Sequence, residues 1–390
     1  MDESVRKGLD GVVADETRLS QIDGEAGELT IGGFPLEELA GNATFEETVF
    51  LLYEDRLPTE SELEAFSSEI AAVRTLHPAT RAIVEAAATS GVSAMDALRM
   101  GIASASLAGT ESASNAGGVG FAEDDTERDA LLAVAQMPGI VAAYWRAAQN
   151  LDPVEARSDL SHAGNYLYML TGEEPSESEV RGLETYCNTV VDHGFNASTF
   201  TARAIASTES DVISAVTGAV GALKGPLHGG APGPVLDMLE ETHDADDAEA
   251  VLRAKLDAGE RLMGFGHRVY RVRDPRASVL SEAAESFYRA DDGGDEAFYD
   301  SARETEAVAR ELLAETKPDL DLETNVEFYT AVLLHGVGIP RELFSATFAV
   351  SRVGGWTAHC LEQLEDNRIV RPRSHYVGEY GRTWTPVEDR

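Results

Sequence analysis

Lysine is nearly absent from this chain. Only Lys7, Lys224, Lys255 and Lys317 occur among 390 residues, and arginine supplies the rest of 31 basic side chains against 69 acidic ones. A formal net charge of −38 argues against partners that are bound by neutralising phosphate, so neither nucleic acid nor an anionic membrane is expected. The acids are dispersed along the chain, which reads as a solvated surface. Self-repulsion at that charge works against the compact state in dilute buffer. Salt relieves it, because the Debye length falls to roughly 3 Å at 1 M, and a halophilic cytoplasm is the expected setting. Cysteine is also scarce: Cys187 and Cys360 make no disulfide framework, and both lie in apolar-periodic segments that predict buried thiols. No apolar run reaches the length of a membrane span, and MDESVRKGLD has no apolar leader core. A soluble, cytoplasmic protein is expected. Alternating strand patterns are confined to 27–34 and 368–378. Histidines at metal-ligand spacing such as HExxH are missing and the two cysteines are far apart, so no metal is expected.

Helical signals fill the rest. Thr44-x-x-Glu47, Thr59-x-x-Glu62 and Ser176-x-x-Glu179 are capping boxes, each opening an apolar-periodic segment. Leu63, Phe66 and Ile70 share one face after the second box. Val180, Leu183, Cys187 and Val190 do so after the third. The small-residue segment 211–223 predicts a tightly packed interior helix ending at Gly225-Pro226. Pro340 is placed to open a helix running to about Val353, with Gly354-Gly355 as its breaker. No internal repeat is present. The fold is expected to be all-α.

Two segments concentrate the chemistry. LKGPLHGGA (223–231) and GFGHRVYRVRDPRA (264–277) each present a histidine, His228 and His267, on a backbone thinned by glycine, where main chain can approach a ligand closely. Two imidazoles beside guanidinium forks suit acid–base work on a small polyanion near neutral pH. His193, in DHGFNASTF (192–200), is a weaker candidate. His77, His162, His243, His335, His359 and His375 lack such surroundings and read as surface or satisfied core residues. Carboxylates are held best by a planar bidentate fork. A single arginine is usually a solvated surface residue. Arg276 after Asp274-Pro275, Arg352 before Gly354-Gly355 and Arg371 before Pro372 stand out because turn residues fix their directions.

Taken in order, GLDGVVADETRLSQIDGEAGEL (8–29), FEETVFLLYEDRLPT (45–59), DHGFNASTFTAR, LKGPLHGGA, GFGHRVYRVRDPRA, TNVEFYTAV (324–332) and GIPRELFSATFAVSRVGGWTAHCLEQ (338–363) resemble the citrate synthase family over nearly the whole chain. That family includes the 2-methylcitrate synthases. The resemblance implies a multi-helical homodimer. Its large domain would be 1–225 with 325–390, and a smaller mobile domain, 226–324, would close over oxaloacetate and form the acyl-CoA site. It implies that His228 stabilises the enol of the acyl thioester and that His267 protonates the oxaloacetate carbonyl. His193, Arg276 and Arg352 would hold oxaloacetate, with Arg371 completing the partner's site, and Arg271 would meet coenzyme A phosphate.

The chain departs from the family pattern where the general base is expected. The usual Asn-Val-Asp reads Asn325-Val326-Glu327 here. Glutamate has similar basicity but carries its oxygens roughly 1 Å further, a displacement that can cost about 100-fold in rate. Glu327 is therefore expected to be the base in a remodelled pocket. The alternatives are a fit to another acyl-CoA such as propionyl-CoA, a reaction weighted toward citryl-CoA cleavage, and a catalytically weakened ligand-binding protein. Upstream, PDLDLET (318–324) is acidic where basic residues often meet CoA phosphates, which throws CoA binding onto Arg271 and Arg273 or onto high salt. The expected activity is acyl-CoA:oxaloacetate C-acyltransfer.

Overall fold

A computed structural model describes the chain except residues 1–4, 10, 109–120, 123, 230–231, 246, 267–269, 271 and 321. Near the N-terminus, β1 (Ser20–Asp23), β2 (Glu28–Ile31) and β3 (Phe34–Pro35) form an antiparallel sheet in the order β1-β2-β3. Gly32 and Gly33, at φ 53° and 84°, make the tight turn between β2 and β3, a conformation with positive φ at both central positions that favours glycine. The 27–34 expectation is thus met as a hairpin.

Helices make up the rest of the regular structure. They are α1 (Leu36–Leu39), α2 (Phe45–Glu54), α3 (Glu60–Ala72), α4 (Pro78–Thr89), α5 (Ala94–Ala103), α6 (Asp125–Ala148), α7 (His162–Thr171) and α8 (Glu177–Val190). There follow α9 (Ala197–Ala206), α10 (Val212–Leu223), α11 (Pro232–His243), α12 (Ala248–Asp257), α13 (Pro275–Tyr288), α14 (Glu296–Thr316), α15 (Val326–Gly336) and α16 (Phe344–Glu365). The all-α expectation holds. Reciprocal capping boxes open α2 and α8: Thr44 N donates to Glu47 at 2.7 Å and Ser176 N to Glu179 at 2.7 Å. At α3 the Glu62 carboxylate accepts from both Thr59 N and Thr59 Oγ1. Cys187 and Cys360 are buried free thiols. Among the described residues, no helix is long and apolar enough to cross a membrane.

α16 runs through the core, packed against α6, α8, α9 and α10. The expectation that Gly354-Gly355 ends this helix is wrong. Pro340 caps a short 3-10 turn (Arg341–Leu343), α16 starts at Phe344, and it passes straight through both glycines. Their role is lateral. A Cβ on Gly355 would lie 2.2 Å from Val191 O, and one on Gly354 would lie 2.9 Å from Val49 Cγ2. Bare Cα atoms let α16 approach the end of α8 more closely than any side chain permits. The second strand expectation also fails. Residues 368–378 form no strand, because Pro372 lacks an N–H and, among the described residues, no neighbouring strand offers a ladder. The segment after α16 is exposed and carries Tyr376, Val377, Tyr380 and Trp384 into solvent.

Candidate active site

α15 begins where two segments are zipped together. Gly266 N donates to Glu323 O at 2.7 Å and Asn325 N to Gly264 O at 2.9 Å, around an isolated Phe265–Thr324 bridge. The Asn325 side chain then works in both directions. Its Nδ2 donates to Gly266 O at 2.9 Å, and its Oδ1 accepts Glu327 N at 3.1 Å as the N-cap of α15. The glycine stretch before His267 and the start of the Glu327 helix are therefore one unit. His267 itself lies outside the described residues, as does Arg271.

A cleft of about 410 Å3 opens at this junction, lined by Glu327, Arg276, Arg352, His228, His193 and Asn325 among others. Five residues singled out in the sequence, Glu327, Arg276, Arg352, His228 and His193, thus converge on one cavity from five separate segments. Glu327 stands in the first turn of α15, where the helix dipole favours a carboxylate. Burial pushes its pKa up, with Arg276 acting the other way. Its Oε2 is buried without a hydrogen-bond partner among the described residues.

The arginines are held before any ligand arrives. Asp274 caps α13 by accepting Arg276 N, and its carboxylate takes Arg276 Nε at 3.1 Å and Nη2 at 2.8 Å. The guanidinium sits over the Tyr270 ring, 5.8 Å from the centroid. Arg352 is not at a helix end, as its sequence neighbours suggested, but mid-helix and 1% exposed. Its Nε donates to Val190 O at 2.6 Å, and it stacks over Phe348 at 4.6 Å. Burial pushes its pKa down to about 10, with nearby Asp192 opposing and Arg276 adding to the fall. It stays charged at neutral pH. Two cations in one half-enclosed cleft form a dicarboxylate receptor in the making.

His228 follows α10 in a turn that only glycine completes, since a Cβ on Gly229 would lie 2.5 Å from Leu223 O. Its Nε2 is 2.8 Å from Ser198 Oγ, and that oxygen also accepts Trp356 Nε1–H at 3.1 Å. Burial first, and then the charge of Arg352, push the imidazole down to about 4, so it is neutral at pH 7. His193 Nε2 is 3.1 Å from Tyr270 Oη.

Below His193 lies a polar chain absent from the sequence reading. Asp192, fully buried, receives Ser20 Oγ at 2.5 Å, Gly194 N at 3.3 Å and His359 Nε2 at 3.1 Å. Arg203 Nη1 is 3.2 Å from His359 Nδ1. A guanidinium only donates, so Nδ1 is the acceptor and Nε2 carries the proton to Asp192. His359 is thus a buried residue that braces the His193 loop. Asp192 and Ser198 sat inside the DHGFNASTF motif already noted, whereas nothing local marks His359 or Trp356.

Two further expected residues, neither of them assigned to this chain's oxaloacetate pocket, do not line this cleft. Arg371 is in the exposed C-terminal segment and does not line this chain's cleft. Arg273 Nη1 is 3.3 Å from the buried Glu306 carboxylate, so its charge is already engaged, and the nearby Arg310 pairs with Glu323 at 2.9 Å.

The family model "Citrate synthase, C-terminal domain" matches residues 8–373. The chain belongs to the citrate synthase family. It is 43% identical to the citrate synthase of Haloferax volcanii, with all of both chains covered. It is 37% identical to the 2-methylcitrate synthase of Shewanella oneidensis, covering 98% of this chain and 97% of that one. Among solved structures, the citrate synthase of Pyrobaculum aerophilum superposes with a TM-score of 0.85 at 36% identity, covering 98% of this chain and 95% of that one. The Thermoplasma acidophilum citrate synthase, solved with carboxymethyl coenzyme A and oxaloacetate, gives 0.82 at 28% identity, with 99% and 100% covered. The chain is an enzyme of the citrate synthase type.

Proposed function

We propose that this enzyme condenses acetyl-CoA with oxaloacetate and hydrolyses the resulting citryl thioester to citrate and CoA, without cofactor or metal. The observation that carries the reading is the meeting of Glu327, His228, Arg276 and Arg352 around one cleft. Arg276, Arg352 and His193 hold oxaloacetate, each already braced by a protein partner, so little ordering remains at binding. Glu327 takes a proton from the thioester methyl group. The C–H electron pair becomes the enol double bond while neutral His228 donates its Nδ1–H to the thioester oxygen. That tautomer requires the Ser198 hydroxyl to turn its proton from Asn196 Oδ1, 2.7 Å away, to His228 Nε2 at 2.8 Å, while Ser198 Oγ goes on accepting from Trp356. The enol carbon then attacks the oxaloacetate carbonyl, whose oxygen takes up a proton. By the family resemblance, His267 is the residue that gives it. Water finally cleaves the thioester.

Residues 226–324 are proposed as a smaller domain that closes over the substrates and shields the enol from water. Arg271 and Arg273 are proposed to meet CoA phosphate. A homodimer is proposed, with Arg371 reaching the partner's cleft; the exposed aromatic residues of the C-terminal segment support a surface made to be covered. The charge of −38 supports work at high salt in the cytoplasm. A second reading, propionyl-CoA as acyl donor, is favoured by the 37% identity to a 2-methylcitrate synthase and by glutamate in the base position. Oxaloacetate-dependent thiol release at molar salt, with acetyl-CoA and then propionyl-CoA, decides between them. His228→Ala is expected to abolish the release. No turnover of either thioester would leave a ligand-binding protein and end the catalytic reading.

A further inference from the structure

Glu306, at the midpoint of α14, is not among the residues that line the cleft. It is buried, and among the described residues the three groups bonded to or paired with its carboxylate lead toward the cleft. Oε1 accepts Thr324 Oγ1 at 2.6 Å, and Oε2 accepts Tyr329 Oη at 2.5 Å. Arg273 Nη1 lies 3.3 Å from Oε1, with its guanidinium 5.9 Å from the centroid of the Tyr329 ring. The placement of these partners is informative. Thr324 immediately precedes Asn325, the N-cap of α15. Tyr329 follows Glu327 by two residues, and Arg273 immediately precedes Asp274, which holds Arg276. A single buried carboxylate therefore grips the chain on both sides of Glu327 and just before the oxaloacetate clamp.

Glu327 needs such a grip. Among the described residues its Oε2 has no hydrogen-bond partner, so its own contacts there do not fix where that oxygen points. Glutamate also has one more rotatable bond than aspartate, and each rotor left loose adds an entropic cost to reaching one productive geometry. The aim of the carboxylate must then come from the backbone of the first turn of α15. Bonds from hydroxyls to an ionised carboxylate are short and strong enough to hold that turn.

We propose that Glu306 is a positioning residue for proton abstraction, fixing the start of α15 so that Glu327 reaches the thioester methyl group. The inference rests on Glu327 being the base and is tested separately from it. Thiol release at molar salt is measured with acetyl-CoA and with trideuterioacetyl-CoA for wild type, Glu306→Gln, Tyr329→Phe and Thr324→Val. Glu306→Gln is expected to lower kcat by roughly 100-fold, the cost of an acid displaced by about 1 Å. The KM for oxaloacetate should stay within about two-fold, and the hydrogen isotope effect on kcat should rise as proton abstraction becomes limiting. Tyr329→Phe and Thr324→Val should shift both quantities the same way by less.

A group serving stability alone would lower the melting temperature and leave the isotope effect where it was, which would overturn the proposal. So would an unchanged kcat, or a raised KM with kcat intact. If Glu306→Gln does not fold, the two hydroxyl variants decide, and an unaltered isotope effect in both sinks the idea. Wild-type enzyme without turnover defeats the functional reading instead, whatever the variants do.

Discussion

Shortening Glu327 to aspartate is the sharpest test of the site, because aspartate is the residue the family ordinarily carries there. Glu327→Asp keeps the charge, the place in the first turn of α15 and nearly the same intrinsic basicity. It removes one methylene and withdraws the carboxylate by roughly 1 Å, which costs about 100-fold in rate, or about 2.7 kcal/mol of barrier, where the geometry is tuned to the longer arm. The backbone gives no easy compensation: Asn325 caps the helix onto Glu327 N at 3.1 Å and is itself tied to Gly264 and Gly266. The expected result in the thiol-release assay is a kcat lower by that factor, with the KM for oxaloacetate preserved because Arg276 and Arg352 are untouched. Glu327→Gln keeps the reach and loses the basicity, so it should fall by roughly 10²–10⁴-fold. In the wild type, activity should be lost on acidification through a pKa above the ordinary carboxylate range, since burial raises that of Glu327. An aspartate variant that matches or outruns the native enzyme would refute the remodelled pocket, and with it the claim that this cleft is built around glutamate.

Two further predictions concern the scaffold. Gly355→Ala puts a Cβ 2.2 Å from Val191 O and 3.0 Å from Asp192 Oδ1, so α16 must retreat by roughly 1 Å at a cost of about 1–3 kcal/mol. A lowered melting temperature together with a raised KM for oxaloacetate is expected, and an unchanged KM would show that Asp192 does not brace His193. His162 is buried against Phe45, with Arg74 nearby, and burial holds its pKa down to about 3 against 6.5 when exposed. The unfolded chain therefore takes up a proton that the native imidazole refuses. Stability from this group is complete above pH 6.5 and falls below it by up to about 1.4 kcal/mol per pH unit until about pH 3. Burial raises Glu184 to about 7, so between pH 7 and about 4.5 its protonation stabilises the native state and opposes the loss. Urea melts of His162→Gln should show a shallower decline than wild type from pH 6.5 downward, and parallel declines would refute this account.

The sequence carried the local rules and missed the tertiary ones. Capping boxes at Thr44, Thr59 and Ser176 follow from chemistry within four residues, and the structure has all three. The cleft was legible because its histidines, arginines and acid sit in unusual settings of glycine and proline. Gly354-Gly355 misled because a helix-breaking glycine and a close-packing glycine look alike until the neighbour, Val191, is known. His359 and Trp356 were invisible for the same reason: their partners, Asp192 and Ser198, lie 167 and 158 residues away. The ion pair of Arg273 with Glu306 was out of reach too, because Glu306 is 33 residues further on and has no motif around it.

The two ends of the cleft are built from different materials. Arg352 projects from the middle of a core helix, and moving it would mean unpicking the glycine seam against α8. His228 instead rides on a turn after α10 whose Leu227 points wholly into solvent. Inherited change can retailor the second wall cheaply and the first hardly at all. A lineage on this scaffold would thus be free to trade one acyl donor for another while its dicarboxylate acceptor stayed the same.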